Sequence, residues 1–424
     1  GFGVGDTHAG PSNLRYGFDN WIYGTVGYSR FNGEVNGKKH NFGMGVFRFK
    51  PDGSDIEFLH QFNNNTWGVG FNEAGDVFGS TANNNPTFFG GLPATVYGKE
   101  RGKSAKMIAS SPRFYPITPN IRQVDAFNAY TAGCGHAFAT SSGFPKNWRN
   151  RRAFICGPTG NLLGMYDIQG KDSGYEAVNA FSFVASADEW FSPIVAEVGP
   201  DGNLWMADWY NFIIQHNPTP NKGRAGYDAK NGRGNAHINP NRDRQHGRIY
   251  RIIYQNHNSK APKLGNTPQL VKALSHDNLF WRQTAQRLLV DNKRTDAIDA
   301  LKTLTTKSGH GAIHALWTLK GLNALDQKTH AAALINPSAE LRRNALRALN
   351  TGKPDATMLY DSANLADKDL QVRLVAFSKL ASLPESDNHK KTASLLMQQP
   401  ENAKDEWLRA ALQATGATEL NIVG

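Results

Sequence analysis

Val198-Gly199-Pro200-Asp201-Gly202-Asn203-Leu204-Trp205-Met206-Ala207-Asp208 joins two β-type runs through a short turn of Gly, Pro, Asp and Asn. These residues suit a tight reversal, because Gly and Asn tolerate positive φ and Asp bonds its own backbone. The unit recurs as Tyr16-Gly17-Phe18-Asp19-Asn20-Trp21-Ile22-Tyr23 and as Phe71-Asn72-Glu73-Ala74-Gly75-Asp76-Val77-Phe78. A weaker copy is Cys156-Gly157-Pro158-Thr159-Gly160-Asn161-Leu162-Leu163. Strand repeats of this size indicate a propeller or a solenoid, and alternating strands with aromatic and Gly punctuation favour the propeller. Inner strands are expected to start near residues 13, 65, 130 and 192, with Gly247–Tyr254 as a last strand. The expectation for residues 1–254 is therefore an all-β propeller of about four blades from a ring of six. The chain opens inside a motif, Gly1-Phe2-Gly3-Val4-Gly5-Asp6, so the missing N-terminal blades are expected upstream of Gly1. Residues 217–245, rich in Asn, Gly, Pro and Arg, read as a long rim loop.

After a linker at 255–264 the pattern changes. Strand signals give way to amphipathic segments beginning at Leu279, His314, Leu341, Gln371 and Glu406, about thirty residues apart. Each gathers Leu, Ala and aromatic residues on one face, which has to stack on a neighbour to be buried. Residues 265–424 are thus expected to form an all-α HEAT-like solenoid. Arg282, Arg342, Arg373 and Arg409 fall in the same register against these apolar faces.

The net charge is +11 over 424 residues, but the basic residues are scattered and form no long Lys/Arg tract. A solvated basic surface accounts for them, and a specific nucleic-acid function is not expected. No apolar run is long enough to be a transmembrane segment. The two cysteines, Cys134 and Cys156, match neither a zinc pattern nor a c-type haem motif. They are either buried thiols or one disulfide. Both flank one blade and no other Cys is present, so a disulfide and an extracellular or periplasmic setting are expected.

Two groups of residues could carry chemistry. Asp6 and His8, in Gly5-Asp6-Thr7-His8-Ala9-Gly10, precede the first strand. An imidazole held by a carboxylate is a general base; alternatively the pair ties down a loop. Trp190, Asp208, Trp209, Tyr210, Asn211 and His216 form the richest polar-aromatic group. Aromatic platforms beside carboxylates suit sugar rings, and Asp208 and Asn211 offer hard oxygens for calcium; core packing is the alternative for Trp205 and Trp209.

The run from His8 to Tyr28 resembles the segment of soluble quinoprotein glucose and sorbosone dehydrogenases that carries their catalytic base. His8, Ala9, Gly10, Leu14, Asp19 and Tyr23 hold its places. With Cys134–Leu163, Trp190–Ile213, Gly247–Ile253 and the repeats from Leu279, the whole chain looks like the large membrane-bound dehydrogenase-like proteins of planctomycetes and verrucomicrobia. Those join such a propeller to HEAT-like repeats, often followed by a cytochrome c module. The resemblance implies a sugar or polyol substrate, His8 as base oriented by Asp6, pyrroloquinoline quinone and calcium as cofactors, and a cytochrome or other electron-transfer partner. It departs from that family in two places. Thr7 separates Asp6 from His8. Asn64, in Phe62-Asn63-Asn64-Asn65-Thr66-Trp67-Gly68, stands where an Arg meets the quinone, while Asn65 and Gly68 fit. Asn supplies neither fixed charge nor a bidentate fork, which leaves Arg122 to bring charge from another blade. The other function class is a non-catalytic propeller that binds a glycan or a protein, with the helical repeats as an interaction arm.

Overall fold

The computed structural model describes residues 1–4, 8–62, 64–97, 106–119, 128–212, 214, 243–255, 257 and 259–417. Four antiparallel sheets come first. In the first, β1 (Ser12–Tyr16), β2 (Ile22–Val26), β5 (Gly45–Phe49) and β6 (Ile56–Gln61) pair in that order, with the hairpin β3 (Phe31–Val35) and β4 (Lys38–Phe42) inserted after β2. The second sheet runs from β7 (Thr66–Phe71) through β8 (Val77–Thr81) and β9 (Phe88–Phe89) to β10 (Lys106–Met107), with the single turn α1 (Ala94–Tyr97) between the last two. The third comprises β11 (Cys134–Phe138), β12 (Arg152–Gly157), β13 (Leu162–Lys171) and β14 (Gly174–Ala185). The fourth has three described strands, β15 (Pro193–Val198), β16 (Leu204–Asp208) and β17 (Arg248–Ile252). First strands pack in succession, β1 on β7, β7 on β11 and β11 on β15. Arg15 of β1 then makes a bidentate ion pair with Glu197 of β15.

The recurrent turn has one construction at three places. The N–H of Gly17, Asn72 and Gly199 donates to the carbonyl four residues on, at Trp21, Asp76 and Asn203. The residue before each acceptor is left-handed: Asn20 (φ 67°), Gly75 (φ 74°) and Gly202 (φ 75°). That conformation explains the Gly/Asn punctuation. In two of the turns an Asp closes the loop, Asp19 accepting from Trp21 N–H and Asp201 from Asn203 N–H. The fourth expected copy is different. Residues 158–160 form a 3-10 turn joining the second and third strands of its sheet, at the opposite end. Trp205, which could have been core, is exposed and donates its indole N–H to Asp201.

The remainder is helical: α2 (Thr267–Ala273), α3 (Leu279–Asp291), α4 (Ile298–Thr305), α5 (His310–Gly321), α6 (Gln327–Leu334), α7 (Ala339–Ala348), α8 (Lys353–Asp361), α9 (Leu370–Ser382), α10 (Asp387–Met397), α11 (Pro400–Lys404) and α12 (Glu406–Ala414). Asn278, Ser338, Asp369 and Asp405 cap α3, α7, α9 and α12 by accepting first-turn N–H groups. The fourth residue of each of these helices is one of the register arginines, and each donates to the carbonyl six residues back: Arg282 to His276, Arg342 to Asn336, Arg373 to Asp367 and Arg409 to Ala403. Helix α5 has Ile313 at that position instead.

The helices are not a free arm. They lie across the end of the sheets where first strands turn into second strands. Gln286 donates to Phe18 O, Asn344 and Arg347 to Ala74 O, Leu279 N–H to Thr140 O, and Asn278 and Trp281 to the Gly199–Pro200 carbonyls. One apolar cluster runs from Phe18, Phe78 and Tyr130 to Leu316, Phe377 and Leu412, so both parts share a core. Ion pairs cross the same boundary: Arg282 with Glu73, and Arg343 and Arg347 with Asp76. No helix among the described residues is long and apolar enough to cross a membrane.

Candidate functional site

Among the described residues, α2–α12 do not cover the opposite end of the sheets, which carries the segments that lead into the first strands. His8 sits there, half-buried, just before β1. Its carbonyl accepts from Asn65 Nδ2 at 3.1 Å and from the Trp67 indole at 2.6 Å. Its ring lies nearly parallel to that of Trp67, at 17° with centroids 6.3 Å apart. Asn65 Oδ1 in turn accepts from Tyr28 N–H at 3.3 Å. A Cβ on Gly27 would fall 1.4 Å from Asn65 Oδ1, so glycine is what lets this loop approach. Asn64 Oδ1 accepts from Asn65 N–H at 2.7 Å and is reached by the half-exposed Tyr28 hydroxyl at 3.5 Å. The structure places His8, Asn64 and Asn65 near one another. Asp6 and Arg122 lie outside the described residues, as does His216.

The second group is assembled but changes meaning. Asp208 was expected to meet a substrate or a cation. Its carboxylate is instead buried and bonded, accepting from Ser192 N–H (2.7 Å), Tyr210 N–H (2.9 Å) and Arg248 Nε (2.6 Å). The expectation fails because an inward-facing strand end needs its own turn satisfied before it can serve a ligand. Asn211 is also buried and donates to the Asp243 carbonyl. Trp190 and Tyr210 remain half-buried, their rings 5.2 Å apart at 29°. The Arg248 guanidinium stands 4.5 Å over Tyr210 and pairs with Asp188 as well as Asp208.

Sequence reasoning missed three features. The first is Arg248, hidden in the last strand. The second is His246, exposed beside Tyr210 with Nδ1 2.7 Å from Asp243 Oδ2; the Asp-x-x-His spacing was its visible signal. The third is the Arg15–Glu197 pair, for which a separation of 182 residues gives no local sign.

The expected disulfide is not formed. Cys134 and Cys156 are free, buried thiols directly opposite each other on β11 and β12. Burial pushes the Cys156 thiol well above its usual range, and a hydrogen bond with Cys134 adds to the effect. Enclosed in apolar packing, the pair behaves as two small core side chains.

Tyr28, Asn64, Asn65 and Trp67 around His8 are neutral, and Asn64 spends its side-chain oxygen on its own loop. These four offer no charge to the carboxylates of pyrroloquinoline quinone; Arg122, the residue left to bring it, lies outside the described residues. Asp208 does not fit calcium, since both its carboxylate oxygens are engaged by Ser192, Tyr210 and Arg248. Among the described residues no group of three or more His, Cys, Asp or Glu converges as a metal site.

The molecule thus joins antiparallel sheets to helices, and the end of the sheets away from α2–α12 carries an imidazole and aromatic rings. A family model described as "Domain of unknown function (DUF7133)" matches residues 1–256, and the chain belongs to that family. No curated protein matches it. Among solved structures it is similar to a glucose dehydrogenase, with 17% identity and a TM-score of 0.29, over 49% of this chain and 59% of the other. A protein from Thermus thermophilus described as an oxidoreductase (glucose dehydrogenase) matches at 17% identity and TM-score 0.29, over 49% and 61%. Another glucose dehydrogenase matches at 14% and 0.26, over 49% and 82%. The chain spans about three fifths of the first two. Likenesses at these TM-scores are too slight to carry a conclusion.

Proposed function

We propose that residues 1–254 belong to a dehydrogenase-like β-propeller, that 255–264 is a linker, and that 265–424 are HEAT-like repeats. The repeats brace the propeller from beneath. On this reading the protein is an exported oxidoreductase, periplasmic or extracellular, of the quinoprotein sugar or polyol dehydrogenase type. Its electrons go to an acceptor of quinone or cytochrome class. The placement of His8 carries the reading. Its main chain is held by Asn65 and Trp67, and its half-buried ring lies beside an aromatic face at the end of the sheets away from α2–α12. An imidazole so held takes the proton from a substrate hydroxyl when it stands about 3 Å from it. Trp190 and Tyr210 are the proposed platform for the sugar's apolar face.

One observation favours a second reading. The engagement of Asp208 by Arg248 and of Asn64 by its own loop leaves aromatic and amide groups without free charge, which suits a propeller that binds a glycan without oxidising it. A single experiment separates them. The full chain is supplied with pyrroloquinoline quinone and calcium, and dye reduction is followed over a panel of sugars, for the wild type and for His8→Ala. Turnover lost in His8→Ala supports the first reading. Saturable sugar binding without dye reduction by the wild type supports the second. Equal turnover in the two proteins removes His8 from the mechanism.

A further inference from the structure

A cleft of about 880 Å³ opens where the first sheet meets the helices, at the end of the sheets opposite His8. Its walls combine apolar surface, including Phe18, Trp21, Trp317 and Val375, with a mixture of charges. Two of its cations are matched: Arg48 pairs with Asp19 and Glu57, and Arg347 with Asp76. Lys50 lies over the Trp21 ring. Two more meet neutral oxygens. Lys320, on α5, donates to Asn350 Oδ1 at 2.8 Å, and Lys379, on α9, donates to the Leu349 carbonyl at 2.7 Å. Both partners are neutral oxygens, and among the described residues neither lysine pairs with a carboxylate. Each ammonium has three donors and spends one in these bonds.

The two lysines converge on adjacent residues, Leu349 and Asn350, where α7 ends. One cation would satisfy the carbonyl pole of that helix. A second half-buried cation next to it works against the fold, because burial and the like charge of its neighbour both disfavour it. Both ammonium groups are indeed pushed down, Lys379 to about 8, by burial and by Lys320, and Lys320 mainly by burial. Asp355, which accepts from Asn350 N–H, offsets part of this cost, and an anion between the lysines would offset the rest. Ser378 and Thr351 line the same wall and offer hydroxyl donors.

We infer that this cleft binds a small phosphate monoester, its phosphate held between Lys320 and Lys379 and its organic body against the apolar wall. Lysine serves phosphate as a point charge and needs no planar fork, which fits two ammonium groups meeting on one tetrahedral ion. The volume is in the range of pockets for small metabolites, well above what one ion fills.

The test is calorimetric titration of the full chain with inorganic phosphate at low salt, followed by phenyl phosphate. Both are expected to bind saturably at one site, phenyl phosphate the more tightly. Lys320→Met and Lys379→Met should each weaken binding by about tenfold or more, as loss of a charge-assisted bond does. Lys379→Arg should bind within a few-fold of wild type, and His8→Ala should be unchanged, which keeps this result separate from the dehydrogenase reading. Near-ultraviolet circular dichroism verifies that the variants are folded. Absence of saturable heat in the wild type, or wild-type affinity in both Met variants, overturns the inference.

Discussion

Asp76→Asn tests whether the boundary between sheets and helices is a structural core. Asp76 has only 2% of its side chain exposed and receives Arg343, Arg347, Tyr175 OH and Asn72 Nδ2. Burial alone would raise its pKa, but Arg343, Arg347 and the Tyr175 hydroxyl together hold it well below the usual carboxylate range. Replacing the charge with an amide strands Arg343, which is 7% exposed; Arg347, 28% exposed, loses less because water reaches it. Removing one partner of a buried pair costs about 3–5 kcal/mol. Arg343 keeps Gln371 Oε1 at 2.9 Å and Tyr175 OH at 3.2 Å, so the expected cost is about 3 kcal/mol, the low end of that range. Urea unfolding, followed by tryptophan fluorescence and far-ultraviolet circular dichroism, measures it. Because the shared core spans both parts, the two signals should change together. The depressed pKa adds a signature. Its stabilisation is fully present above the unfolded-state pKa of about 3.9 and is lost as pH falls below it towards the folded value. In Asp76→Asn that part of the acid-side slope should vanish. A cost under about 1 kcal/mol with an unchanged acid limb would refute the reasoning.

Arg342→Met removes the guanidinium that joins Asn336 O to Asp367, and should destabilise by about 2–4 kcal/mol in the same urea assay. Arg409→Met, whose site is more open, should cost clearly less. Lys379 gives a pH effect of opposite sign to Asp76. Its folded pKa of about 8 lies below the unfolded value of 10.5, so the unfolded chain holds more protons between the two and stability should rise with pH there. The groups that set this are Lys320 and Arg48, which repel it, and Asp355 and Glu57, which attract it. Lys379→Met should flatten the rise across that window; a profile like that of wild type would contradict the assignment. Cys134 and Cys156 should resist thiol reagents in the native protein and titrate as two thiols in denaturant without prior reduction. Titration that requires reductant would restore the disulfide.

The first strands begin at Ser12, Thr66, Cys134 and Pro193, close to where the turn repeats place them, because a turn that needs positive φ leaves Gly and Asn in the sequence as its mark. The arginine register was legible for a similar reason. Its repeated element is local, an N-cap and a guanidinium bond to the carbonyl six residues back, whatever distant partner each arginine also meets. The fate of side chains with distant partners was not legible. Asp208 looked like a ligand until Arg248 arrived from forty residues on, and Asp76 looked like a turn residue until α7 brought two arginines to it from the other half of the chain. The repeats looked like a free arm because an amphipathic helix shows that it needs a partner without showing which one. Local sequence therefore determined the turns, the caps and the element order, where the partners lie within a few residues. Tertiary structure alone decided which charges are neutralised and which face is covered, because those energies depend on groups that only folding brings within a few ångströms.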